Sequence, residues 1–143
     1  MHAASAFRAK IEPLRGILMA FPIALFTSAV VSDIAYLQSA QMQWSNFSAW
    51  LIVGALVFGG LAGLWAIVDL ALAWRGPTRN AALIHLAALA LAWIFGLINA
   101  FKHSQDAWSS VGAFGLTLSI LSAVLALVAG WFACSTTTVR EIA

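Results

Sequence analysis

Five side chains in this chain of 143 residues carry the chemistry to bind or transfer something: Asp33, Asp69, His85, Asn99 and His103. Each lies inside, or at the end of, a long apolar run. A carboxylate near the centre of a bilayer costs roughly 2.5–3.5 kcal/mol on insertion scales, so it must find a partner or water. At ~1.5 Å of rise per residue, Asp69 falls about 10 Å to one side of the membrane midplane, with His85 at nearly the same depth on the next segment. Asp33 falls about 9 Å to the opposite side, level with Asn99 and below His103. The polar groups therefore sort into two clusters, Asp69 with His85 and Asp33 with Asn99 and His103. A carboxylate beside an imidazole favours the imidazolium, or fixes which ring nitrogen carries the proton. Such a site in either leaflet suits a headgroup, a quinone, a proton or a haem. The same residues equally suit an Asp69–His85 hydrogen bond that sets helix register, and an Asp33 that caps a loop near the surface.

Metal chemistry is restricted by spacing. His85 and His103 share one segment and stand 18 residues apart, about 27 Å along a helix, so they cannot ligate one haem. A single five-coordinate haem on His85 is the version left open. Four nitrogen or sulfur ligands for a closed zinc or copper site do not converge. The lone Cys134 excludes a disulfide framework and reads as a spectator thiol at the membrane boundary.

The elements that hold these groups follow from composition. Apolar residues make up 63% of the chain and charged residues 8%, and the mean hydropathy is +0.96. A soluble domain carries about 25% charged residues. That difference excludes a soluble enzyme domain, a disordered tail and a nucleic-acid binder, whose basic patch needs far more Lys and Arg. Four stretches reach the ~20 apolar residues a membrane helix requires, at about 16–37, 49–74, 80–101 and 110–133. The expected fold is all-α: a single domain over 1–143, an integral membrane antiparallel four-helix bundle. The breaks lie at 38–48, at 75–79 and at 102–108. Gly76-Pro77 stops the second helix, and Thr78 or Asn80 can cap the third. Pro22 predicts a kink in the first helix. The face holding Arg15, Met19, Pro22, Phe26, Ala29 and Asp33 could then wall a cavity. The first segment reads as a retained span and not a cleaved leader, since its apolar run is long and lacks a clear small-x-small site.

Sidedness follows from charge. Arg8, Lys10, Arg15, Arg75, Arg79 and Arg140 fall on one side, and only Lys102 on the other. By the positive-inside rule both termini are cytoplasmic, in a multi-pass membrane protein. Trp44, Trp50, Trp74, Trp108 and Trp131 fall near helix ends, where indoles favour the headgroup region. Trp65 and Trp93 fall near mid-membrane.

Small residues mark the inward faces. On the third segment His85, Ala88, Ala92, Gly96, Asn99 and His103 share one stripe at 100° per residue. Gly112, Gly115, Ser119, Ser122, Ala126, Gly130 and Ala133 do the same on the fourth. Ala55, Gly59 and Gly63 recur at four-residue spacing on the second. Lipid gains nothing from such residues, so these seams should close the bundle, with docking against a partner's helix the lesser expectation.

Pro13, Phe21-Pro22, Asp33, Gly63 with Asp69, His85, and Gly130-Trp131, taken in order, resemble the bacterial four-helix membrane proteins grouped as domain-of-unknown-function family 2231. Relatives often carry His-Pro where this chain has Glu12-Pro13, and a Gly-Gly pair where it has Phe132-Ala133. The resemblance implies a redox membrane setting, since such domains are joined to or encoded near Rieske and c-type cytochrome modules. With no converging catalytic groups, the expected role is a non-catalytic accessory or scaffold subunit contacting lipid and other membrane subunits. The alternative is an electron- or proton-transfer protein that holds a quinone or single haem near Asp69 and His85.

Overall fold

The computed structural model describes the backbone of residues 2–105 and 111–142, and the side chains of 12–105 and 111–135. Side chains of Arg8, Lys10, Trp108 and Arg140 lie outside that range. Four helices make up the fold: α1 (His2–Ser39), α2 (Met42–Ala73), α3 (Arg79–His103) and α4 (Ala113–Ile142). Each is long and apolar enough to cross a membrane. Backbone amides in hydrocarbon have no water to bond, so a helix, which satisfies them internally, is the form these sequences must take.

Two sets of contacts fix the topology. Arg15 on α1, Asp69 on α2 and Ala133 on α4 meet at one level, where His85 on α3 bonds Ala129. Asp33, His103 and Ser119 meet at the other. Successive helices therefore run in opposite directions, and packing of α1 on α2, α2 on α3, α3 on α4 and α4 on α1 closes a ring. The interior is built largely of alanine. One layer holds Phe26, Ala29, Ile52, Ala55, Ala92, Ala123 and Ala126; the next holds Met19, Ala62, Ala66, Ala88, Leu89 and Ala129. Bulky side chains such as Val57, Leu64, Ile67 and Leu72 point outward. Without water to expel, close approach of small faces and their dispersion contacts hold such helices together.

The small-residue stripes pack as seams. Ala88, Ala92, Gly96, Gly115, Ser119, Ser122, Ala126 and Gly130 are all buried. A side chain on Gly96 would stand 2.7 Å from the Phe26 ring. On α2 the buried register is Ser45, Ser48, Ile52, Ala55, Gly59, Ala62, Ala66, Asp69 and Ala73. Gly63 lies one position off it, and neither Gly63 nor Gly112 has any atom within 4 Å of where a side chain would begin.

Several boundaries differ from the sequence expectation. The break expected at 38–48 shrinks to residues 40–41, and α2 starts seven residues early. Polar residues stop a membrane span but not a helix, and Gln43 through Ser48 keep their backbone bonds by staying helical. The reversal is made by Ala40, at φ 54°, whose N–H bonds the Tyr36 carbonyl at 2.7 Å. α1 and α4 likewise outrun their apolar cores. No side chain caps α3; the Thr78 carbonyl instead accepts the Ala82 N–H at 3.0 Å. α1 is continuous through Pro13 and Pro22. Pro22 is buried beside Gly59, which leaves its ring room. The face from Arg15 to Asp33 is the buried stripe of α1, packed into the core.

Candidate functional site

The polar groups gather at two levels of the bundle. At the α1–α2 connection end, Asp33 is fully buried. Its Oδ1 lies 2.9 Å from His103 Nε2, and its Oδ2 accepts the Ser119 hydroxyl. Ser119 Oγ in turn accepts the Asn99 amide N–H at 2.7 Å. His103 Nδ1–H donates to the Asn99 carbonyl at 3.0 Å, one turn back on its own helix. The circuit thus draws on α1, α3 and α4. Asp33 is an interior acceptor and not a loop cap. Ser119, assigned to helix packing by its place in a small-residue stripe, is the link between Asp33 and Asn99; its hydroxyl on a buried face is the signal that could have shown this. Ser32 and Ser48 tie α1 to α2 nearby, through the carbonyls of Trp44 and Ala29.

At the level of the chain termini, Asp69 pairs with Arg15, whose Nη1 stands 3.2 Å from Asp69 Oδ2 and 3.2 Å from Glu12 Oε1. Arg15 Nη2 donates to the Ala133 carbonyl at 2.8 Å. His85 Nδ1–H donates to the Ala129 carbonyl at 2.8 Å. Asp69 and His85 line one cavity together with Arg15, Met19, Trp65 and Ala66. The helices therefore bring the two to a shared space, where Asp69 pairs with Arg15 and His85 with the Ala129 carbonyl. Sequence counted Arg15 among the interfacial positive charges. Its place on the Asp33 face of α1 was the sign that it turns inward.

That cavity measures about 10 Å³, room for about one water. It does not fit a haem macrocycle or a quinone ring beside His85. Among the described residues no group of three or more His, Cys, Asp or Glu is placed to hold a metal ion. Larger spaces lie elsewhere. A pocket of about 400 Å³ opens at the α1–α2 connection end with His103 in its wall. A groove of about 340 Å³ runs between α2 and α3 over Gly59, Gly60 and Gly63. A third, of about 820 Å³, lies between α1 and α4 over Gly16, Ala20 and Gly130. Trp93, mid-membrane, satisfies its indole N–H on the Leu56 carbonyl at 2.9 Å beside the second of these.

A protein-family model described as "Predicted membrane protein (DUF2231)" matches residues 12–139. No curated protein and no solved structure matches the chain.

Proposed function

Since the chain belongs to the DUF2231 family of predicted membrane proteins, we propose that it is a non-catalytic integral membrane subunit of a bacterial redox complex, set in the inner membrane with both termini cytoplasmic. The observation that carries this reading is the groove between α2 and α3. There the half-buried Gly60 and Gly63 lie beside Leu64, Ala90 and Ile94, and a side chain on Gly63 would meet nothing in the bundle, while the buried stripes are used up in the bundle itself. Bare glycine backbone facing lipid lets a foreign helix approach closely, which is how membrane helices associate. The intramembrane polar groups support the same reading, because they are bonded to one another or to backbone and do not converge on a substrate-sized space. The redox setting rests on the family resemblance and is an inference by association.

The test is co-purification in mild detergent, for the natural chain and for Gly63→Leu. Nothing in the bundle lies within 4 Å of that position, so the variant should fold normally and lose its partner. A natural chain that runs as a lone monomer and brings nothing with it would sink the reading.

A further inference from the structure

The connection between α2 and α3 carries two arginines and no acid. Arg75 follows the last turn of α2 and Arg79 opens α3, and both are exposed. Among the described residues neither guanidinium has a carboxylate or a hydrogen-bond acceptor as partner. Arg79 is held instead over the Trp74 ring, 4.6 Å from its centroid. That contact answers part of the charge and leaves N–H donors for another acceptor. The two carboxylates toward this end of the bundle, Glu12 and Asp69, are paired with Arg15. α3 has no acidic residue in its first turn, so Arg79 stands in the positive field of the helix dipole with nothing to offset it. The connection is thus a local excess of positive charge.

Next to Arg75 the outward face of α2 is hollowed. Ile67, Leu70, Ala71, Leu72, Trp74 and Arg75 line a space of about 560 Å³. The small Ala71 side chain makes the hollow, since Ile67, Trp74 and Arg75 stand three or four positions away on the same helix face. From Ile67 to Arg75 the groove spans about 12 Å along the axis at ~1.5 Å per residue. Its inner part is hydrocarbon only. Its outer end is a cation beside an indole, a ring that favours the headgroup layer. Apolar groove and cationic rim, one turn apart, have the polarity profile of a phospholipid, with an acyl chain inside and a phosphate outside.

We propose that the α2–α3 connection binds an anionic phospholipid, with its phosphate on Arg75 and Arg79 and the start of one acyl chain in the hollow at Ala71. Net charge selects the headgroup. A zwitterionic lipid brings an ammonium as well as a phosphate, and residues 74–80 offer it no carboxylate. A headgroup of net negative charge meets only cations there. The site stands whether or not a partner helix fills the neighbouring α2–α3 groove.

Native mass spectrometry of the full chain released from detergent tests the site, with phosphatidylglycerol and phosphatidylethanolamine of the same acyl chains as probes. The natural chain should hold one phosphatidylglycerol in preference to phosphatidylethanolamine. Arg75→Gln and Arg79→Gln should each weaken the phosphatidylglycerol complex about five-fold, the scale of one basic residue at an anionic headgroup. Lys102→Gln, at the opposite end of the bundle, should change nothing. Both arginines also bear on how the chain inserts, so Ala71→Phe supplies a second reading that keeps both charges: it fills the hollow and should weaken phosphatidylglycerol binding too. Equal retention of the two lipids by the natural chain overturns the proposal, as does unchanged phosphatidylglycerol binding in the arginine variants or in Ala71→Phe. Glycerol phosphate in excess should leave the complex intact; displacement by it would mark a site for a soluble phosphate ester and overturn the lipid assignment.

Discussion

Arg15 on α1 and Asp69 on α2 pair at 3.2 Å within membrane-spanning helices, with side chains only 9% and 12% exposed. The same guanidinium bonds the Ala133 carbonyl on α4, and one turn away on α4 the Ala129 carbonyl takes His85 of α3. Four helices are thereby joined through one cation and one imidazole. Removing half of a buried ion pair leaves an uncompensated charge, whereas replacing both partners with apolar groups of similar volume can be neutral.

Arg15→Ala or Asp69→Ala alone should therefore cost about 3–5 kcal/mol, and the double variant Arg15→Met with Asp69→Leu should recover most of it. Circular dichroism during denaturation by an ionic detergent measures this. Single and double variants that lose the same amount would show that the pair is not the source of the stability.

Glycines of similar appearance in sequence should respond differently. At Gly96 a methyl group meets the Phe26 ring at 2.7 Å, and Phe26 is itself fully buried and cannot move aside. Gly96→Ala should cost about 1–3 kcal/mol by overpacking, with part restored by Phe26→Leu. Gly63→Ala and Gly112→Ala meet nothing and should stay within about 0.5 kcal/mol of the natural chain. Thermal midpoints of the three single variants would expose an error in either direction.

Trp93→Phe keeps the ring and removes the N–H that bonds Leu56 across the α2–α3 contact. Interhelical hydrogen bonds in membranes average about 0.6 kcal/mol, so a small loss is expected in the same unfolding assay. A loss several times larger would mean that indole shape, and not the bond, matters there.

The cavity beside His85 holds about 10 Å³. Titration with haemin should give no saturable Soret band. A stoichiometric band that disappears in His85→Ala would restore the single-haem reading and require the helices to part around the ring.

Composition and periodicity determined the architecture. Apolar runs of this length read as membrane helices, and the 100° stripes at His85–His103 and, from Gly115 on, at Gly115–Ala133 mark faces that are buried. The two depths of polar groups were also readable, because depth along a helix is linear in residue number. Helix ends were not, since polar residues such as Gln43 and Ser45 leave the bilayer without leaving the helix. Partners were not legible either. Which groups meet at one depth depends on rotation about four axes and on the angular order of the helices around the ring, and neither quantity is local. Tertiary packing alone set Arg15, a residue with the sequence signature of a surface charge, against Asp69. It also turned Ser119 from one more small residue in a seam into a donor to Asp33, where Ser122 on the same helix donates instead to the Leu118 carbonyl one turn back.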